Sequence, residues 1–90
     1  MAIKIQIPTP MRPQTENQAT VEVSGATVQT ILENLGQKYP AIKAKIFDGG
    51  RVRQYVNLYL NDEDIRYLDN LATAVKDGDE LSIIPAVAGG

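Results

Sequence analysis

The sequence predicts an α+β domain, with short strands gathered around one long helix that covers one face of their sheet. Three observations carry this expectation. Apolar residues alternate at Ile3, Ile5 and Ile7, and again at Val56, Leu58 and Leu60, which is the period of a half-buried strand. Val28, Ile31, Leu32, Leu35 and Tyr39 recur at helical spacing as a single apolar stripe. The strand patterns lie on either side of that helix, in the order strand, strand, helix, strand, short strand, strand. Ninety residues make one domain with one modest core.

The first strand is expected to end at Pro8. Pro8, Pro10 and Pro13 supply no N–H to a ladder, so residues 8–17 read as a loop. Thr20 to Ser24 is β-rich, with Val21 and Val23 on one face, and forms a hairpin with the first strand. Gly25 breaks it. Thr27 is placed to cap the helix, because its hydroxyl accepts from a free N–H of the first turn. Gly36 costs that helix about 1 kcal/mol relative to Ala. Pro40 ends it, since the residue before a proline disfavours α geometry. Ala41 to Phe47 reads as one or two further helical turns, with Ile42, Ile46 and Phe47 packing back. Asp48-Gly49-Gly50 is a turn, not a phosphate loop, because no Gly-Lys-Ser/Thr follows.

Tyr55 to Leu60 is the next strand, with Tyr55, Asn57 and Tyr59 on the face opposite Val56, Leu58 and Leu60. Asn61 to Asp64 turns the chain, and Ile65 to Tyr67 reads as a short strand. Leu71, Ala72 and Val75 fall in a loosely ordered crossing. Lys76 to Asp79 is a turn with Gly78 where a positive φ is needed. Glu80 to Ile84 is the last strand, and Pro85 stops it running into the residues that follow. The domain is thus expected to span residues 1–85, with 86–90 a flexible C-terminal tail.

Composition excludes several functions. Cysteine and histidine are both absent, so neither thiol chemistry nor a Ser-His-Asp or Cys-His site exists within this chain. The net charge of −2 argues against nucleic acid as a partner, because phosphate binding needs clustered Lys and Arg. No apolar run approaches the length of a membrane span and no signal peptide is visible, so a cytoplasmic protein without a membrane partner is expected. Asp62, Glu63, Asp64, Asp69, Asp77, Asp79 and Glu80 make an acidic region without EF-hand spacing. They are solvated turn residues, or they steer the protein toward a basic partner surface. Arg12, Arg51, Arg53 and Arg66 do not cluster in sequence and read as ordinary surface charges. No metal site and no catalytic residue is expected.

The C-terminal half of the chain carries a family resemblance. Tyr55 to Arg66, Lys76 to Pro85 and the ending Ala86-Val87-Ala88-Gly89-Gly90 resemble the corresponding stretches of the MoaD/ThiS family of ubiquitin-like sulfur carriers. The likeness is closest to members that serve cysteine synthesis, and extends more loosely to the N-terminal half. It implies a ubiquitin-like β-grasp, a mixed sheet packed on one main helix. It also implies a chemistry: an E1-like enzyme uses ATP to adenylate the terminal glycine carboxylate, sulfur displaces AMP, and the resulting thiocarboxylate is consumed by a second enzyme. On this resemblance Gly90, with Gly89, is the adenylation and thiocarboxylate site. Ala86, Val87 and Ala88 complete the tail, and the chain binds no cofactor of its own, ATP belonging to the activating partner. The protein is then a cosubstrate, a monomer when free. Its sulfur-accepting partner is a cysteine synthase or, alternatively, a molybdopterin synthase large subunit. A protein modifier and a ubiquitin-like docking module with an idle tail are the remaining alternatives.

The residue types suit that chemistry. A terminus that must enter another protein's site is best made of glycine, whose missing Cβ lets a narrow channel close on backbone alone. Residues 86–90 reach about 17 Å when extended. With no cysteine in the chain, no side-chain thiol competes with sulfur carried on the main-chain end. Tyr55, Tyr59 and Ile84 are expected on the sheet face away from the helix, as an exposed apolar patch for partner enzymes. Pro10-Met11-Arg12-Pro13 joins that surface or forms a mobile loop.

Overall fold

The computed structural model describes residues 2–53 and 55–85. Strand β1 (Ala2–Gln6) and strand β2 (Thr20–Ser24) pair antiparallel, with Ile3 opposite Val23 and Ile5 opposite Val21. Helix α1 (Val28–Lys38) follows, capped by Thr27, whose hydroxyl accepts from the Thr30 N–H at 3.3 Å. Pro40 closes α1 and opens a second helix, α2 (Pro40–Ile46), because proline lacks only an N–H that a first turn leaves unpaired anyway. Gly36 is where the two helices meet. A Cβ there would stand 3.2 Å from the Lys43 Cβ, so the propensity cost of this glycine allows α2 to close on α1.

A small hairpin comes next, β3 (Phe47–Asp48) and β4 (Arg51–Val52). Gly49 and Gly50 both take positive φ, 62° and 89°, which a two-residue hairpin turn demands. Strand β5 (Val56–Leu60) turns through Asn61 and Asp62, also at positive φ, into β6 (Glu63–Asp64). The last strand, β7 (Glu80–Pro85), lies parallel to β1 and antiparallel to β5. The main sheet runs β2-β1-β7-β5-β6, the mixed order of a β-grasp.

Alternation along these strands sorts the residues by face. Ile3, Ile5, Val21, Val23, Val56, Leu58, Leu60, Leu81 and Ile83 face the helix, and Val28, Ile31, Leu32 and Leu35 meet them. The residues of the strand alternations and of the helical stripe are buried, except Tyr39, which is half-buried at the end of α1. The helix also guards a sheet edge: Asn34 Nδ2 donates to the Ser24 carbonyl at 2.6 Å and Lys38 Nζ to the Glu22 carbonyl at 3.4 Å. Those carbonyls lie on β2, an edge strand, where unpaired groups invite another chain.

The structure corrects four expectations. Residues 8–17 are not a loop throughout, because Thr9–Thr15 forms a 3-10 helix whose Met11 and Thr15 are buried. Proline fixes the φ that such a turn uses, so the prolines that end β1 also start this helix. Ile65–Tyr67 is a 3-10 turn rather than a strand, and the strand is Glu63–Asp64 before it. Here the Asp64 carboxylate caps the turn by accepting the Arg66 N–H at 2.9 Å. The crossing near Val75 is tied down rather than loose: the Val28 N–H donates to the Thr73 carbonyl and the Val75 N–H to the Ala26 carbonyl, both at 3.0 Å. Lastly, β7 runs one residue past Ile84 and includes Pro85, paired with Val56.

Candidate functional site

The residues expected to carry the chemistry, Gly89 and Gly90 with Ala86, Val87 and Ala88, lie outside the described residues. The described structure defines where that segment leaves the domain. Pro85 ends β7 directly across the ladder from Val56, the first residue of β5. The exit point is therefore held by the ladder to β5, the pairing of β7 with β1 ending at Ser82.

Two kinds of side chain surround the exit. On the sheet face away from α1, Ile84 is 46% exposed, with Asn57 as its cross-strand partner. Tyr59, half-buried, lies on the same face one pair further along. These two stand where alternation puts them. Tyr55, 40% exposed, departs from its expected place. It stands in the turn before β5 and lines a groove with Asp48, Arg51, Val52 and Arg53. The turn arises because the Val56 N–H donates to the Arg53 carbonyl at 3.0 Å, which delays the strand by one residue. Met11, proposed for the same surface, is buried against α2 and contributes nothing to it.

The arginines are less scattered in space than in sequence. Arg53 Nε donates to the Ala44 carbonyl at 2.9 Å, which draws it onto the end of α2 beside the β5 start. Arg12 Nε donates to the Ile7 carbonyl at 3.1 Å, one residue past the end of β1, whose last residue Gln6 pairs with Ser82. Arg66 differs, being paired with Asp64 through Nη2 at 2.7 Å and Nε at 3.1 and 3.2 Å. A groove of about 490 Å³ between the β5 edge and the 3-10 turns is lined by both Arg53 and Arg66. The hydrogen bond from the Arg66 guanidinium holds the Asp64 carboxyl below its ordinary pKa.

The acidic region is divided. Asp62, Glu63, Asp77, Asp79 and Glu80 gather where β7 begins and β5 ends, the opposite end of the sheet from Pro85. Asp79 is structural, accepting the Lys76 N–H at 2.7 Å and the Asn61 amide at 3.1 Å. The Lys76 bond holds its carboxyl below the ordinary value. Among the described residues no group of three or more acidic side chains is disposed to hold a metal ion. No helix among them is long and apolar enough to cross a membrane.

Comparison with known proteins supplies the context for this exit. The ThiS family profile matches residues 5–90. Sulfur carrier protein CysO of Mycobacterium tuberculosis is 42% identical over a 93-residue alignment that covers 100% of both chains. A chain in the crystal structure of the Amycolatopsis orientalis BexX/CysO complex superposes with a TM-score of 0.90 at 41% identity, over 98% of this chain and 99% of that one. The solution structure of small archaeal modifier protein 1 from Methanosarcina acetivorans also gives 0.90, at 32% identity, over 99% of this chain and 96% of that one.

Proposed function

The chain belongs to the ThiS family, and from that premise we propose that it is a sulfur carrier whose Gly90 carboxylate is activated by an E1-like enzyme and turned into a thiocarboxylate. The observation that carries this is likeness along the whole chain to a protein named for that role, with Gly89-Gly90 following the sheet's end at Pro85. A carboxylate oxygen of Gly90 attacks the α-phosphorus of ATP and pyrophosphate leaves. Hydrosulfide then attacks the carbonyl carbon of the acyl adenylate, AMP departs with the bonding pair, and a thiocarboxylate remains. The activation is needed because an unactivated carboxylate would have to expel oxide. The chain acts as a carrier and supplies no catalytic group; ATP is bound by the activating enzyme. Cysteine synthesis is the proposed destination of the sulfur, and Ile84 with Tyr59 is the proposed docking face. The complex of a CysO with BexX supports docking of such a carrier on a partner protein.

Likeness to a small archaeal modifier protein favours a second use of the same activated end. There a lysine amine of a target, in place of sulfur, would displace AMP and leave an isopeptide bond.

The test is ATP-dependent pyrophosphate release with the cognate activating enzyme. Deleting Gly90, or adding one alanine after it, shifts the carboxylate by about 3.5 Å. Misplacement of about 1 Å costs on the order of a hundredfold in rate, so both variants should fall at least that far while remaining folded. Equal rates for all three proteins would remove Gly90 from the chemistry.

A further inference from the structure

The exposed charges of this domain are sorted by its topology, and the sorting follows the axis of the exit strand. At the Glu80 end of β7 stand Asp62, Glu63, Asp77, Asp79 and Glu80, against Lys4 and Lys76. At the Pro85 end stand Arg12, Lys45, Arg51 and Arg53, against Glu16 and Asp48. Placement at that end follows from hydrogen bonds. The Val56 N–H to Arg53 carbonyl bond puts Arg53 one turn from Pro85's ladder partner. Arg51 is two residues away in β4, Lys45 adjoins the Ala44 carbonyl that Arg53 holds, and Arg12 holds the end of β1.

None of these four cations makes an ion pair among the described residues. Arg12 and Arg53 are each anchored through Nε alone, and their Nη groups have no hydrogen-bond partner among the described residues. An anchored guanidinium loses less side-chain entropy on binding and offers a planar fork suited to carboxylates. We propose that Arg12, Lys45, Arg51 and Arg53 form a basic collar around the tail's exit that docks on carboxylate side chains ringing the channel of the enzyme receiving the tail. The proposal rests on the carrier function above. Any enzyme that encloses the chain as far as Gly90 must bring its surface to Pro85, and so to this collar. The acidic pole at the far end points the carrier collar-first in the field of an acidic partner. On this proposal the acidic residues repel the wrong end of the carrier from an acidic partner.

Collar and pole act on encounter, so the readout is the association rate constant with the cognate activating enzyme, measured by stopped flow at low and high salt. Steering of this kind raises on-rates by about 10- to 1,000-fold and fades with ionic strength. Arg51→Glu/Arg53→Glu should slow association at low salt by about tenfold or more and flatten its salt dependence. Lys4→Glu/Lys76→Glu makes the same change of net charge at the other pole and should stay within about twofold of the native protein. Arg51→Lys/Arg53→Lys, which keeps the charge, should retain most of the rate and its salt dependence. Circular dichroism separates slow binding from lost fold. If the glutamate pair unfolds the β3–β4 hairpin, Arg12→Glu/Lys45→Glu replaces it and must show the same slowing. Equal slowing by both charge-matched pairs would reduce the effect to net charge and overturn the collar. A native-like rate for a folded collar variant would overturn it as well. Pyrophosphate release from the native protein is read in parallel: if it occurs while the collar variants bind normally, the collar alone fails, and if it is absent, the carrier function fails.

Discussion

Asp64 and Thr27 each satisfy backbone groups at the start of a turn or helix. Thr27 accepts the Thr30 N–H, and its own neighbour Ala74 bridges back to it from the crossing segment. Removing the hydroxyl with Thr27→Ala leaves that N–H to water, at a cost of about 1 kcal/mol that chemical denaturation should register. Asp64 is 7% exposed and paired with an Arg66 that is 67% exposed, so the carboxylate is held by a partner on the water side. Its folded pKa lies below the ordinary carboxylate value of about 3.9, so the stabilisation is complete above that pH and is lost as the pH falls through the lower folded value. Asp64→Asn should therefore be less stable than the native protein at pH 7. The gap should close as pH falls below about 4, in thermal melts taken across that range. A gap that stays constant with pH would mean the carboxylate stays charged, or contributes nothing by its charge.

At the scale of elements, α1 is the part of the fold that could be read most directly. Its stripe predicted the buried residues because a 3.6-residue period sustained over three turns has no other economical explanation. Leu32 is fully buried at the centre of that stripe, and Leu32→Ala should cost about 2–5 kcal/mol. A variant melting with the native protein would remove Leu32 from the core. Shorter elements were not legible for physical reasons. The arms of β3 and β4 are two residues each, too short for any period, and only Gly49-Gly50 marked their turn. Thr9–Thr15 carries prolines that signal a break as readily as a 3-10 start, so the burial of Met11 and Thr15 left no trace in the pattern. Ile65 looked like a strand residue because it is apolar and buried, yet the cap at Asp64 bends the chain there. On β7, alternation placed Ile84 outward, and its exposure agrees. Ile84→Asp should leave the fold intact and weaken the complex with the activating enzyme by about 2 kcal/mol or more, read by calorimetry. Unchanged affinity would take Ile84 out of the docking face.

For the whole molecule, the sheet joins one pole to the other through β7, with the acidic residues at its start and the exit at its end. That arrangement could not be read from the chain, because Arg12, Lys45 and the Arg51–Arg53 pair come from three separate segments that only the fold assembles. The proposed working end rests on the sequence alone, a Gly-Gly pair that follows the end of β7 within five residues. The placement of the proposed docking residues was legible in part: Tyr59 and Ile84 share a face, while Tyr55 belongs to the groove beside Arg51 and Arg53. The most direct test of the central claim is the intact mass of the native protein after incubation with ATP, the cognate activating enzyme and a sulfide donor. The carrier function predicts a gain equal to one oxygen replaced by sulfur, localised to Gly90 by fragmentation and absent when ATP is withheld. An unchanged mass, while the enzyme thiolates a known carrier in the same mixture, would contradict it.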